Sequence, residues 1–429
     1  MKHVVIIGGG LIGLSTAYSL QQRGVEQVTI LEEADGPHGA SLVHAGWISP
    51  GHSDPVPAPG LVRQSMKWMM RSDSPLYIRP GAMADPDFAR WMYRFWRACN
   101  SRNQLHAIAS MSALNSKTFP LFEAYLANGI NFEMHKVGLL SVFLNANNID
   151  RELKHVALYE KFGIKTPTPL LGNDAREFEP SLSDQVGGVF LIETERHIRP
   201  ETLTNALVQW VTDHNVDLRT RTKVTGLEIH GGKVCAVQTT AGKVEADAVV
   251  IAAGARSGEI SRMAGVKLPI QGGKGYSIDY TDPPTTPLRP MSIYEARMAI
   301  TPTSGYVRLA GTMELSGINT VVRQERVAAL ARGAGIYLHG WDGKVGDGKV
   351  GSGLRPMTPD GMPIIGPVPG VRNLSISSGH QMLGVTLSAA SGDALAEEIV
   401  TGKPQEVLEP FRAERFTRAA RRIPAFSRK

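Results

Sequence analysis

The stretch that most constrains this chain is its opening, from His3 to Glu33. His3-Val4-Val5-Ile6-Ile7 is a short, β-branched apolar run, the composition of a strand buried on both faces. Gly8-Gly9-Gly10-Leu11-Ile12-Gly13 follows and spells G-x-G-x-x-G. In such a turn Gly8 takes the tight bend, Gly10 lets a pyrophosphate approach the backbone, and Gly13 lets helix and strand pack closely. The spacing predicts a helix from Leu11 to about Arg23, with Leu14, Ala17, Tyr18 and Leu20 turned toward the sheet and Gly24 as its stop. Residues 28–31 read as a second strand. Glu32 then stands nineteen residues after Gly13, where an acid can accept from the ribose hydroxyls of a bound adenosine. Strand, turn, helix, strand and acid together predict a dinucleotide site. The competing reading is a glycine-rich βα turn that serves packing alone.

Length and composition narrow the rest. At 429 residues and 42% hydrophobic, the chain can bury a large core, and two domains are expected. Cys99 and Cys235 lie far apart without a C-x-x-C, so neither a disulfide framework nor a zinc site is suggested. The twelve histidines form no H-x-x-x-H pattern, and no metal site is expected. The first core strand begins at residue 3 without a preceding leader, and no apolar run approaches the ~20 residues of a membrane span. A reducing cytoplasm is the expected location.

Net charge is +6, and the excess is uneven. From Phe411 onward the tail carries Arg412, Arg415, Arg418, Arg421, Arg422, Arg428 and Lys429 against Glu414 alone, with Phe416, Ile423 and Phe426 interleaved. That pattern suits a basic amphipathic segment lying on the inner face of an anionic membrane, or equally a solvated segment packing its aromatics on its own domain. No nucleic-acid module accompanies the charge.

Along the chain, residues 36–60 form a proline- and glycine-rich loop long enough to suggest a function. Helical periodicity returns over 87–99, with Trp91, Phe95 and Trp96 read as core, then over 101–127 and 150–162. A strand is expected over 138–144. Arg199-Pro200-Glu201 opens a further helix with proline in its first turn. A hairpin is expected over 223–239, turning at Gly231-Gly232, and a buried strand over 247–253 ends at Gly254. Residues 268–312 change to short alternating strands, as in an antiparallel sheet. Residues 343–353 read as a loop, 353–361 as a turn-rich segment, 373–377 as a strand, and 385–400 as the last helix. The expected architecture is α/β, a Rossmann-type domain from residues 1–85, 150–262 and 345–429. An α+β substrate domain with an antiparallel sheet comes from 86–149 and 263–344.

GGGLIG with Glu32, the loop ASLVHAGWISPGHSDPVPAPG, KGYSI at 274–278, GLRPMTPDGMPIIG at 353–366 and SSGHQMLGVTLSAASG at 377–392 form a specific set. With them the chain resembles the FAD-dependent amino-acid oxidase and dehydrogenase (DAO) family, most of all its bacterial D-amino-acid dehydrogenase branch. The resemblance implies FAD. It assigns the adenosine diphosphate half to Gly8, Gly10, Leu11, Ile12, Gly13, Glu32 and Glu33. It puts Ser41, His44, Ala45 and Gly46 along the pyrophosphate and ring, and Val224, Ala253 and Gly254 at the adenine end. Gly353, Gly379, His380, Gln381, Met382, Leu383, Gly384 and Thr386 become the wall under the flavin. On the substrate side it implies Arg355 for a carboxylate, Tyr276 as a helping hydroxyl, His380 beside the flavin and His52 at the entrance.

The activity so implied is hydride transfer from the α-carbon of a D-amino acid to the flavin, giving an imino acid and then a 2-oxo acid. Electrons would pass to a quinone or other carrier. Two departures keep alternatives open. Where the dehydrogenases show G-H-G-T-L-G-W-T, this chain has Gly379-His380-Gln381-Met382-Leu383-Gly384-Val385-Thr386, which leaves D-proline or cis-4-hydroxy-D-proline as substrate. His44 replaces a common asparagine, and in dimethylglycine-dehydrogenase-like relatives a histidine in a similar stretch bonds the flavin. An oxygen-using oxidase and a non-catalytic FAD-holding subunit or redox sensor are the remaining readings.

Overall fold

Alternate residues of the first strand look into two different cores, and the fold follows from that. In the computed structural model, which describes residues 2–61, 76–79 and 81–416, His3–Ile7 is the third strand of a six-stranded sheet. The order is Asp217–Arg219, Gln27–Leu31, His3–Ile7, Ala248–Ile251, Leu374–Ser378 and Ile364–Pro367. All neighbours run parallel except the last pair. Val4 and Ile6 pack with Leu14, Leu203, Leu207 and Leu395 from the helices Leu11–Gln22, Pro200–Asp213 and Ser388–Thr401. Val5 and Ile7 pack with Val224, Val234, Val237 and Val244 from a three-stranded antiparallel sheet on the other face. This is the doubly covered α/β sheet expected of a continuous apolar strand. Gly24, at φ +73°, ends the first helix as anticipated.

The second large element is a nine-stranded mixed sheet built from strands of residues 76–357, mostly antiparallel. Its edge is Lys349–Met357, paired with Gln271–Tyr280, which pairs in turn with Val307–Leu315. The helix Gln324–Tyr337 covers one face through Val327, Leu330 and Tyr337. The other face meets the Rossmann-type sheet across the cavity described below.

Sheet membership divides the chain differently from the expected domain boundaries. Leu170–Leu171, Gly188–Ile192 and Lys349–Met357 hydrogen-bond into the nine-stranded sheet. The helices Ser101–Asn115 and Thr118–Ala127 instead bury Met111, Leu114, Phe122 and Tyr125 in the core that covers one face of the six-stranded sheet. Other elements differ locally. Residues 353–357, read as turn-rich, are extended strand. The last helix begins at Ser388, three residues later than expected. Trp91 is core, but Trp96 is 58% exposed.

The expected basic tail falls largely on residues 417–429, outside the described residues. Its first residues pack on their own domain. Phe411 is buried, Arg412 pairs with Glu398 at 2.7 Å, and Arg415 pairs with Asp360 at 2.7 Å. Among the described residues no helix is long and apolar enough to cross a membrane.

Candidate active site

A cavity of about 1730 Å³ runs from the glycine turn to the edge of the nine-stranded sheet. That exceeds the roughly 300–1,000 Å³ of an ordinary small-molecule site and leaves room for a large cofactor with a second molecule beside it. Every cofactor or substrate residue that the resemblance implies lines it except Gly13 and Gly379. Those two act from behind. A Cβ on Gly13 would stand 2.0 Å from the Gly8 carbonyl oxygen, and one on Gly379 would stand 2.5 Å from Thr358.

At the nucleotide end the backbone is bare. Gly10 precedes the helix without a side-chain cap, and the Leu11 N–H donates to Ser41 Oγ at 3.1 Å. Glu32, 5% exposed, accepts from the N–H groups of Gly9 at 2.8 Å and Ala34 at 2.9 Å. A carboxylate has about four lone-pair positions, so acceptor capacity toward a ligand hydroxyl remains.

The loop carrying Ser41 to Gly46 is stapled to the nine-stranded sheet. Arg308, 2% exposed, donates to the carbonyls of Leu42 at 2.7 Å and His44 at 3.0 Å and pairs with Asp279 and Glu201. Thr301 Oγ1 donates to the Ala45 carbonyl at 2.8 Å. His44 accepts from the Gly46 N–H at Nδ1, which places the ring proton on Nε2, a buried donor with no hydrogen-bond partner among the described residues. Burial, aided by the Arg308 charge, brings His44 down to about 3, so the ring is neutral.

The segment from Gly379 to Thr386 is tied to the strand that carries Arg355. Gln381 holds a left-handed backbone (φ +53°), and its N–H donates to the Pro356 carbonyl at 3.0 Å. His380 shares a hydrogen bond with Ser391 at 3.0 Å through Nε2. Burial lowers it to about 3. A neutral ring of this kind orients rather than titrates. Met382, by contrast, is 57% exposed.

Arg355 lies over Gly275, where a Cβ would stand 2.3 Å from its guanidinium. It donates to the Thr312 carbonyl at 2.8 Å. Among the described residues no carboxylate pairs with it, and burial pulls it down to about 10. A buried cation without a counter-ion is costly, and an anionic ligand is the usual remedy.

Tyr276 does not join it. In the strand register Arg355 faces Gly273 while Tyr276 faces Ser352, so the two side chains leave opposite faces of the sheet. The phenol packs with Val327 and Leu330 and donates to Glu314 Oε2 at 2.8 Å. Burial lifts it to about 12.

His52 lines the cavity beside Asp54 and stacks edge-on with Trp47 at 6.1 Å. Sequence reasoning missed the group behind it. Asp54 accepts from His155 at 2.5 Å and from Tyr159 at 2.8 Å. Burial pushes the Asp54 carboxyl up, but the His155 bond and charge carry it below the usual carboxylate range. His155 is raised for the reciprocal reason, against its own burial. Thr312 was also missed, since no sequence signal marks a left-handed threonine.

A family model described as FAD dependent oxidoreductase (DAO) matches residues 3–398. The chain belongs to this family. FAD is therefore its cofactor, and the bare glycine turn, the unpartnered His44 donor and the size of the cavity all suit one.

Among curated members, a D-amino acid dehydrogenase of Granulibacter bethesdensis is 33% identical over 94% of this chain and 96% of its own length. One of Vibrio vulnificus is 28% identical with the same coverage. The fold is shared with glycine oxidase from Geobacillus kaustophilus, at TM-score 0.73 and 22% identity over 96% of this chain and 99% of that one. It is shared also with L-proline dehydrogenase from P. horikoshii, at TM-score 0.72 and 19% identity over 98% and 99% of the two chains.

Proposed function

We propose that this flavoprotein oxidises a D-amino acid, taking hydride from the α-carbon to give the imino acid. The observation that carries the reading is Arg355, a buried guanidinium in the family's cavity with no acidic partner among the described residues. A planar fork of this kind takes a carboxylate through two parallel hydrogen bonds, which fixes the α-carbon in space. The D-amino acid dehydrogenases with which the chain aligns nearly end to end support D-amino acids as the substrate class.

In this reading Gly8, Gly10, Gly13 and the start of the first helix receive the pyrophosphate, Glu32 takes a ribose hydroxyl, and Val224 and Gly254 border the adenine. His44 offers its Nε2–H toward the ring. Bound FAD supplies the two-electron acceptor. The chain's own residues align the substrate and exclude water, and no side chain has to remove the α-proton. His380, neutral and hydrogen-bonded to Ser391, holds the wall in place. His52 and the Asp54–His155 pair border the approach. The reduced protein hands its electrons to a quinone-type carrier.

The test is an anaerobic panel of D-amino acids, D-proline, cis-4-hydroxy-D-proline and the L-enantiomers, read by bleaching of the flavin band. Rapid bleaching by D-amino acids, followed by fast reoxidation with a soluble quinone and slow reoxidation by oxygen, is expected. Bleaching by none of the panel refutes the substrate reading, and fast reoxidation by air refutes the acceptor reading.

A further inference from the structure

Among the described residues, six exposed large apolar side chains border this one cavity: Met83, Tyr93, Trp96, Met263, Val321 and Met382, each between 38% and 61% exposed. Scattered singly, such residues need no explanation. Here all six line the same cavity while staying exposed, and so form its outer rim. Two of them, Tyr93 and Trp96, stand on the helix Pro86–Ala98 with ring centroids 6.0 Å apart. The same helix turns Phe88 and Trp91 inward, so its aromatic residues occupy both faces, and only the inner ones are used by the core.

The helix Pro86–Ala98 and its N-cap carry Arg90, Arg94 and Arg97 against Asp85 and Asp87, a positive surplus beside this border. Arg90 and Arg97 lie three residues before and four after Tyr93, on the same helical face. Both are exposed. The acid in the first turn, Asp87, is held by Lys267, Arg262 and Arg90 and leaves a positive surplus. Exposed tryptophan and tyrosine beside arginine is the composition of a surface seated at the boundary between lipid headgroups and acyl chains. There the rings are half wet, and arginine stems cover apolar surface while their heads meet anionic groups. With no membrane-crossing helix among the described residues, such contact is peripheral.

We infer that the rim formed by Tyr93, Trp96, Arg90 and Arg97 docks on an anionic bilayer, with the mouth of the cavity facing the lipid. The inference stands on the surface alone and does not depend on which substrate is oxidised. It does bear on the acceptor, because a lipid-dissolved carrier would reach the cavity without crossing bulk water.

The experiment is co-sedimentation of the full-length holoprotein with phosphatidylcholine vesicles, with and without phosphatidylglycerol. Three variants are run beside it: Tyr93→Ser with Trp96→Ser, Arg90→Ser with Arg97→Ser, and a chain ending at Phe416. Flavin content and melting temperature serve as folding controls. Binding to the phosphatidylglycerol vesicles is expected, weakened about tenfold or more by either double substitution and largely retained by the shortened chain. No binding by the full-length protein overturns the inference. So does binding that only the truncation abolishes, which would assign the contact to the basic tail. Binding to native membranes but not to protein-free vesicles overturns it in favour of a protein partner. None of these outcomes bears on flavin bleaching, so the substrate reading is judged separately.

Discussion

The Arg355 guanidinium donates to the main-chain oxygen of Thr312 at 2.8 Å, and Thr312 accepts that bond from a left-handed backbone, φ +59°. The two features have one cause. Within Val307–Leu315 the pairing with Gln271–Tyr280 slips, so that Thr312 and Met313 stand opposite Gly275 alone. The extra residue of such a bulge is free to re-aim its carbonyl. A β-branched residue at positive φ is strained by roughly 1–3 kcal/mol, and strain of this kind gathers at functional sites.

Removing the guanidinium should separate activity from stability. Arg355→Ala is expected to lower kcat/KM by about a hundredfold or more, the effect of losing one partner of a desolvated ion pair worth about 3–5 kcal/mol. Arg355→Met, which also deletes a buried charge with no carboxylate partner among the described residues, should raise the melting temperature of the ligand-free protein. Steady-state kinetics beside thermal melts would check both, and unchanged kcat/KM would remove Arg355 from the substrate site.

The bulge makes a contrasting prediction. Thr312→Gly keeps the main-chain acceptor and relieves the positive φ, so stability should hold or rise by up to about 1 kcal/mol while KM stays within about threefold of the parent. Thr312→Pro cannot adopt that φ and should raise KM steeply if the chain still folds. Equal kinetics in the two variants would show that the carbonyl does not hold Arg355.

Glu195 gives a pH dependence. It is fully buried, its Oε1 accepts from the Gly51 N–H at 2.9 Å, and burial lifts it from 4.5 to about 8. A carboxyl raised in the folded state contributes its full stability below about 4.5 and loses it as pH rises toward 8. Glu195→Gln keeps the acceptor and should melt with the parent near pH 4. It should be more stable by on the order of 2–4 kcal/mol near pH 8. Thermal melts across that window decide it, and parallel curves would refute it.

The glycine turn predicts cofactor retention. With 2.0 Å between a Cβ at position 13 and the Gly8 oxygen, Gly13→Ala must part helix from strand. Overpacking of this size costs about 1–3 kcal/mol, so FAD should bind roughly five- to a hundredfold more weakly. The ratio of flavin to protein absorbance after gel filtration would report it.

The opening unit was legible because local signals and tertiary role coincide there. Val4 to Ile7 are apolar on both faces, Gly24 stops the helix, and Glu32 falls at the right distance. Lys349–Met357 was not, because Gly351, Gly353 and Pro356 read as turn residues. Those glycines serve packing instead, since a Cβ on either would stand within 3 Å of Val43 or Ala40 in the loop beneath. The break between Ser101–Asn115 and Thr118–Ala127 had a visible cue in Pro120, which sits in the first turn of the second helix, where its missing N–H is harmless. Asp54 and His155 are 101 residues apart, and only the fold brings them together.

The six-stranded sheet places His3–Ile7 against Ala248–Ile251, and that strand against Leu374–Ser378, while Gly392 lets the last helix touch the first at Ser15. A polypeptide emerging from the ribosome therefore holds its glycine turn from the start without the completed sheet beneath it. Residues near 400 must leave the exit tunnel before that sheet can close. Cofactor capture should be a late, post-synthetic event, and fragments ending before residue 374 should emerge colourless.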